Sequence, residues 1–466
     1  MIDREQHRAA SHFGLGVSER DLHAIGKDPG RWLLRQIEPG VASGQPSVPA
    51  SHLAIVAQTQ ALAERRQAQQ RRDSDSDRAD ERAGADLVDM QLDYRRQLQR
   101  TIATQTLARV QHAGSTEAPF RERLVHFWSN HFTVSRQGRP QIVGACQAYE
   151  NEAIRAQLDG RFEDMLLAVA SHPVMLFYLD NAQSMGPASL VGRRRGMGQN
   201  ENLAREIMEL HTLGVDGGYT QTDVKALATM LTGWTVGNPR LRRFGAEAGK
   251  FAFVPVMHQP GAVRFLGHDY GDGGVEQAQR ALKHLARHPS TARFLATKLA
   301  RHFVADEPPA EVVEALTETY LETDGHLPSL HRAIVAQEPA WDPTNRKLKT
   351  PFETIVSAHR GLDLAVDRPQ LVLAPLRLMN HFPFTASSPA GWPDRQDHWG
   401  APTALKQRIE WAVAFAGRTA SAVDVRAVAE RLVPPGAGTL ATSVGRAESA
   451  TQGLALLLAS PDFQWR

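Results

Sequence analysis

Apolar residues recur every three or four positions along most of the chain, which is the spacing of one face of an α-helix. Two short apolar runs, 250–256 and 263–267, interrupt this spacing and surround a His-Gln-Pro-Gly turn, so they predict a small β-hairpin. The sequence therefore predicts an all-α fold, a large multihelical domain with a minor β-hairpin near 250–267.

The density of apolar residues changes near residue 115. Residues 51–113 carry long polar helical patterns, interrupted near 71–83 by a mixed-charge stretch that has almost nothing to bury and is predicted to be a solvated loop. From Phe120 onward aromatic and apolar residues are denser. We therefore predict an N-terminal helical region, 1–115, and a main helical domain, 116–466.

The most informative segment is the predicted helix 200–214. Asn200 is a typical N-cap and Gly214 can adopt the left-handed conformation that ends a helix. At 3.6 residues per turn one side of this helix is apolar and also holds His211, while the opposite side is charged. This polar stripe consists of Glu201, Asn202, Arg205, Glu206 and Glu209. If the polar stripe faces inward, it could hold a hydroxyl-rich substrate, a phosphate or a hard metal ion. If it lies at the surface, it is a row of weak i,i+4 ion pairs.

Four residues outside this helix are further candidates. His131 lies among large aromatic residues, where it is either a hydrogen-bonded core histidine or a site residue. Asp180 ends an apolar helix and either caps it or faces a pocket, and His258 borders the predicted hairpin, where loops often present functional groups. Trp392 lies among prolines and is predicted to anchor a partner, line a pocket mouth or fill the core.

The composition of the chain argues against nucleic acid as a partner and against cysteine-based cross-links or metal sites. The 466 residues include 53 Lys and Arg against 51 Asp and Glu, a formal net charge of +2, so no broad basic surface for nucleic acid is expected. Cys146 is the only cysteine, which excludes an intramolecular disulfide and a multi-cysteine metal cluster.

Several familiar motifs are missing from the sequence. The N-terminus is charged and no stretch reaches about 18 consecutive apolar residues, so the sequence as written predicts a soluble cytoplasmic protein without a membrane span. Glycine-rich nucleotide loops, H-E-x-x-H and G-x-S-x-G do not occur, so the motifs identify no cofactor and no metal ligands.

Several motifs in order resemble a bacterial family called domain of unknown function 1800, and the resemblance covers the chain from its opening helix onward. They are Phe127-Trp-Ser-Asn-His-Phe, Tyr178-Leu-Asp-Asn, the segment from Asn200 to Gln221, Leu231-Thr-Gly-Trp-Thr, His258-Gln-Pro-Gly, Phe265-Leu-Gly, Lys347-Leu-Lys-Thr-Pro-Phe-Glu and Ser388-Pro-Ala-Gly-Trp-Pro-Asp. The resemblance implies a mostly helical protein without an established reaction. Members commonly carry an export signal and often occur beside a sulfatase-like family, which implies an extracytoplasmic location and a sulfatase-like partner.

The first functional hypothesis is an enzyme, a hydrolase or transferase that acts on a polar, glycan-like substrate. Glu206 and Glu209 form the predicted acid/base pair, Arg205 holds a carboxylate or phosphate, and His131 or His258 assists proton transfer. The predicted substrate-binding set also includes Glu201, Asn202, Asp180, His211 and Trp392.

Two alternatives stay open. One is a non-catalytic scaffold or partner of a sulfatase-like protein, which would bind through the aromatic segments 382–384 and 389–394. The other is a metal-dependent enzyme whose ligands are Glu206, Glu209, His211 and His258.

Overall fold

The computed structural model describes residues 3–41, 44–74, 81–436 and 438–466. Helices account for 64% of the structure and strands form only two small sheets, which confirms the predicted all-α class with a minor hairpin. In the described ranges, every helix is too short or too polar to cross a membrane.

Most of the described chain is helical, and short 3-10 and π-helical turns lie between many of the α-helices. The α-helices are Arg4–Arg8, Glu19–Ile25, Pro29–Arg35, Ser51–Ser74, Glu81–Ser115, Pro119–His131, Cys146–Tyr149, Phe162–Ser171, Pro173–Tyr178, Leu190–Arg195, Asn202–Glu206, Gln221–Met230, Val275–Ala286, Pro289–Phe303, Ala310–Glu322, Leu327–Val335, Glu338–Trp341, Pro351–Gly361, Leu373–Leu378, Gln396–Trp399, Pro402–Thr419, Val425–Leu432, Gly438–Gly445, Ala450–Ala459 and Pro461–Gln464. The π-helical turns are Ala9–Phe13, Glu150–Ile154 and Ile207–His211. The 3-10 turns are Pro140–Ile142, Arg155–Gln157, Asn181–Gln183, Pro239–Phe244, Pro255–Met257, Pro369–Leu371 and Ala420–Ala422.

The strands pair differently from the simplest interpretation of the two apolar runs. They are β1 (Trp234–Val236), β2 (Phe251–Phe253), β3 (Val263–Phe265) and β4 (His268–Tyr270). The runs at 250–256 and 263–267 do not pair with each other, because β2 pairs antiparallel with β1 and β3 pairs antiparallel with β4. Leu266 and Gly267 both have positive φ, 47° and 78°, and form the two-residue turn that joins β3 to β4.

The mixed-charge stretch near 71–83 falls between two long helices. Residues 75–80 lie outside the described residues, while 71–74 end the helix Ser51–Ser74 and 81–83 begin the helix Glu81–Ser115. The two helices contact each other, since Tyr94 donates a hydrogen bond to Gln58 at 3.1 Å and Arg65 lies 4.4 Å from the Tyr94 ring.

One hydrophobic core includes apolar side chains from both sides of the predicted boundary at residue 115. Phe13, from the first π-helical turn, packs against Phe120 at 6.0 Å and Phe303 at 5.9 Å between ring centroids. Aromatic packing of this kind contributes about 0.5–1.5 kcal/mol per pair beyond the area that it buries. The opening segment is therefore packed into the main helical body, and the division at 115 stays a prediction.

A buried arginine joins three distant segments. Arg360, near the end of the helix Pro351–Gly361, donates to the Asp21 carboxylate at 2.6 Å. Its other terminal nitrogen donates to the carbonyls of Ala113, Gly114 and Thr116 at 3.0–3.2 Å, at the end of the helix Glu81–Ser115. The guanidinium thus binds carbonyls that have no partner within their own helix.

Replacement of Arg360 tests this link. We expect Arg360→Met to lower the free energy of unfolding by about 3 kcal/mol or more, because it leaves the buried Asp21 charge without its partner. Urea denaturation measures the change. Arg368→Met, at an exposed ion pair with Asp367, is the matched control and should cost less than about 1 kcal/mol. Equal losses in the two variants would contradict the proposed role of Arg360.

Candidate functional site

A cavity of about 320 Å³ lies among the helices Pro119–His131, Pro289–Phe303 and Pro351–Gly361 and the segment 381–395. Its cationic residues are Arg109, Arg123, Lys298, Arg301 and Arg395. Its carboxylates are Glu353 and Asp394. Its histidines are His126, His131, His302 and His381, and its larger aromatic residues are Phe127, Phe352, Phe384 and Trp392. With five cationic side chains against two carboxylates, the cavity is electropositive although the chain as a whole is nearly neutral.

The start of the helix Pro351–Gly361 positions Glu353. Thr350 is the N-cap, and it forms a capping box in which the Thr350 N–H donates to Glu353 at 2.6 Å and the Glu353 N–H donates to the Thr350 hydroxyl at 3.3 Å. Glu353 is also paired with Arg123 and, at 3.2 Å, with Arg466. Burial alone would raise the pKa of Glu353, but the two arginines hold it well below its usual range. The carboxylate is thus a fixed negative charge in the cavity wall.

Asn130 fixes the loop that carries Trp392. Its side-chain amide donates to the Trp392 carbonyl at 2.9 Å, and its side-chain oxygen accepts from the Trp392 N–H at 2.7 Å. Gly391 has φ +82°, and a Cβ there would lie 2.5 Å from the Asn130 carbonyl. Only glycine fits this approach, which brings two segments distant in sequence to the same cavity.

His131 and Lys298 form a hydrogen-bonded pair. The His131 Nε2–H donates to the His211 carbonyl at 3.1 Å, so its Nδ1 is free to accept from the Lys298 amine at 3.0 Å. Burial and the nearby Lys298 hold the pKa of His131 well below its usual value, so the imidazole is neutral. Burial, and to a smaller extent Arg301, lower the pKa of Lys298 to about 8 although Asp394 acts in the opposite direction.

Ion pairs separate the five cations into two groups. Arg109 pairs with Glu150 at 2.5 Å, Arg123 with Glu353, and Arg395 with Glu307 at 2.7 Å. Lys298 and Arg301 have no carboxylate within 4.0 Å in the described ranges. Their charges are therefore the ones that a bound anion could neutralise.

The polar stripe lies outside the residues that line this cavity. Arg205 pairs with Glu201 at 3.3 Å and Glu209 at 3.2 Å, both at i,i+4 spacing, and its side chain is 37% exposed. Asn202 is exposed, and Glu206 is half-buried with its pKa raised by burial and by the charge of Glu209. The stripe is thus a partly exposed ladder of ion pairs, and its catalytic role stays a prediction.

The remaining sequence candidates have different surroundings. His131 and Trp392 line the cavity, and His211 lies directly behind His131, 6.0 Å between ring centroids. Asp180 adopts φ +59° and pairs with Arg139 at 2.6 Å, while the His258 Nδ1 donates to the Thr232 carbonyl at 2.8 Å. Neither of these two residues lines the cavity.

His211 is nearly fully buried, and neither ring nitrogen has a hydrogen-bond partner among the described residues. Burial lowers the pKa of His211 to about 3, so the ring is neutral. Its contribution to the cavity comes through its backbone carbonyl, which orients His131.

The alternative metal site is not assembled. Where the structure describes the chain, no three or more His, Cys, Asp or Glu side chains are grouped as metal ligands would be. Glu206, Glu209, His211 and His258 therefore do not form such a group.

Lys298 and Arg301 were not predicted from the sequence. They lie in an ordinary amphipathic helix, Pro289–Phe303, and no motif marks them. One signal was available, because residues 289–305 contain four basic or histidine side chains and no acidic one, which leaves the cations of that helix without a local partner.

The family model described as "Protein of unknown function (DUF1800)" matches residues 8–465, essentially the whole chain, so the chain belongs to this family. The resemblance seen in the sequence is confirmed. Comparisons with curated proteins and with solved structures find no match. The family gives no reaction, and functional inference therefore rests on the site.

Lys298 should lower stability at neutral pH. Because its pKa is about 8 in the folded chain and near 10.5 in the unfolded chain, the unfolded state holds more protons between these values and stability rises with pH there. Below pH 8 the folded state carries a poorly solvated charge. We expect Lys298→Met to raise the free energy of unfolding at pH 7 by about 1 kcal/mol and to remove part of the rise toward pH 10.

Urea denaturation at pH 7 and pH 10 measures both effects. Lys283→Met, at an exposed lysine on the helix Val275–Ala286, is the control and should leave the pH profile unchanged. A Lys298→Met protein that is less stable than the wild type at pH 7 would show that the amine supports the fold instead.

Proposed function

We propose that this DUF1800 protein is an enzyme that binds an anionic, polar small molecule in the cavity and transfers protons through Lys298 and His131. The observation that carries the proposal is the Lys298 amine, which faces an electropositive cavity without a carboxylate partner and donates to a neutral imidazole at 3.0 Å. A lysine with a pKa near 8 suits general acid/base chemistry, which serves hydrolysis and group transfer.

Electrostatics support an anionic substrate. Arg301 and Lys298 lie three residues apart on one helix, so their side chains project from the same face. The Arg301 Nε donates to the Asp306 carbonyl at 3.1 Å, an interaction that orients the guanidinium without neutralising it. Charge-assisted hydrogen bonds from such groups are about twice as strong as neutral ones.

The aromatic residues in the cavity wall and the small volume of the cavity favour a compact substrate with one apolar face. Trp392 contacts His381 edge to face at 4.9 Å, and Arg109 lies 5.0 Å from the Phe352 ring and 5.3 Å from the Phe384 ring. These contacts hold aromatic surface in the cavity wall. A volume of about 320 Å³ is at the small end of ligand pockets, so a single sugar acid or a molecule of that size fits better than a polymer.

The aromatic residues on which the partner hypothesis depends are buried or partly buried. Phe382 is buried between Arg136 and Arg377, at 5.1 and 4.7 Å, and Phe384 and Trp392 line the cavity. Because these aromatic residues do not form an open patch, they support a substrate pocket better than the docking of a sulfatase-like protein.

Anion binding is the first test. Calorimetric titration with inorganic phosphate and sulfate should detect binding, and Arg301→Gln should weaken it by about tenfold or more because a charge-assisted contact is lost. Arg293→Gln, an exposed arginine on the same helix, is the matched control and should bind as the wild type does. Equal affinities for the wild type and Arg301→Gln would contradict the proposed ligand class.

Turnover is the second test. The probes are the anionic compounds 4-nitrophenyl phosphate, sulfate and glucuronide, which report release of 4-nitrophenol. Activity on any of them should fall by about a hundredfold or more in Lys298→Met and His131→Gln, because proton transfer in the transition state is lost. Lys283→Met serves as the control. Loss of activity in Glu206→Gln but not in Lys298→Met would move the site to the polar stripe.

A further inference from the structure

We propose that the Lys298 amine is a nucleophile that condenses with the carbonyl group of a small anionic aldehyde or ketone and holds it in the cavity as an imine. This inference rests on the proposed function, since it uses the same cavity and the same cation pair. It adds a covalent step that proton transfer does not require.

The surroundings of Lys298 distinguish it from the two other lysines nearby. Lys347 is 3% exposed and paired with Asp306, and Lys349 is 3% exposed and donates to the Phe463 carbonyl at 2.6 Å. Lys298 is partly exposed toward the cavity and has no carboxylate partner among the described residues. Of these three, Lys298 is therefore the amine that a carbonyl compound can reach.

Burial favours the neutral form of the Lys298 amine, while the charges around it act in both directions, since Asp394 raises its pKa and Arg301 lowers it. Arg301 lies on its own helix, Arg123 and His131 lie on the helix Pro119–His131, Glu353 lies on the helix Pro351–Gly361, and Asp394 lies on the loop that follows Trp392. The nearest group is the neutral His131. With a pKa of about 8, roughly half of the amine is neutral at pH 8, against less than about 1% for an ordinary lysine.

The condensation balances without any other reactant. The neutral amine nitrogen forms a bond to the carbonyl carbon while the carbonyl π bond breaks, and the oxygen becomes a hydroxyl group. His131 Nδ1, which already accepts an N–H of Lys298, can relay the proton that the nitrogen loses. Departure of water then leaves a protonated C=N bond, so one amine, one carbonyl compound and one proton give one iminium ion and one water.

The spacing of the two cations sets the ligand class. Side chains at i and i+3 on a helix are neighbours with about 5–6 Å between their Cβ atoms. A carbonyl carbon at Lys298 would therefore place a carboxylate or phosphate two to four bonds away beside Arg301. Short oxo acids and phosphorylated ketones have this arrangement.

Reductive trapping tests the proposal. The full-length protein is incubated at pH 8 with dihydroxyacetone phosphate and sodium cyanoborohydride, and adducts are located by peptide mass spectrometry. We expect one dominant adduct on the peptide that contains Lys298, none there in Lys298→Arg, and an unchanged adduct in Lys283→Arg. Uncharged dihydroxyacetone should label Lys298 at least tenfold more slowly, and Arg301→Gln should slow labelling by the phosphate compound.

The possible outcomes separate this proposal from the proposed function. Labelling spread evenly over exposed lysines such as Lys283 would overturn the imine. Phosphate binding that depends on Arg301 without any adduct at Lys298 would overturn the imine and leave the anion site intact. Absence of both would overturn both. Near-UV circular dichroism of Lys298→Arg that matches the wild type shows that a missing adduct does not reflect misfolding, and slower labelling in His131→Gln would support the proton relay.

Discussion

The site depends on the ion pairs of the buried Glu353 carboxylate, because a buried charge needs its partners in place. This carboxylate accepts a hydrogen bond from the Thr350 N–H at its own helix start and pairs with Arg123 and Arg466. Arg123 also donates to the Gly14 carbonyl at 2.7 Å, and Arg466 donates to the His12 carbonyl at 3.2 Å. A buried charge that lost one of these partners would be costly, so the segments that carry them are held in one arrangement. That arrangement forms one wall of the cavity.

The same physics distinguishes structural from functional charges in the cavity. Arg123 pairs with Glu353 and Arg109 pairs with Glu150, and each ion pair stabilises part of the cavity wall. Lys298 and Arg301 lack such partners within the described part of the chain, although desolvation makes an unpaired charge unfavourable there. A fold that needed these residues only for stability would have no reason to leave them unpaired. Unpaired cations in a small, aromatic-walled cavity are typical of a site that is completed by its ligand.

The sequence predicts the local features well, because they depend on neighbours in the chain. The helical class, the left-handed conformation of Gly214 and the i,i+4 alternative for the polar stripe all depend on residues within one or two helical turns. The cavity depends instead on residues that are far apart in the chain, since 167 residues separate Lys298 from His131 and 262 separate Asn130 from Trp392. The periodicity of apolar residues in the sequence does not predict contacts of this kind. For the same reason the partner of β2 was not predicted. The chain between β1 and β2 runs through residues 237–250, and no alternation of residues in the sequence indicates that the two strands pair.

The segment 200–214 nevertheless contributes to the cavity, and it does so through its backbone. Its π-helical turn ends at His211, whose carbonyl accepts the Nε2–H of His131 and so fixes Nδ1 as the acceptor for Lys298. Gly214, with φ +82°, lies so close to Phe294 that a Cβ would be 2.9 Å from the ring, and the Lys298 amine lies 5.5 Å from the centre of that ring. A side chain at residue 214 would therefore clash with the Phe294 ring, against which the Lys298 amine lies. The segment that appears in the sequence to be a charged catalytic stripe therefore supports, from behind, the pair on which the proposed chemistry depends.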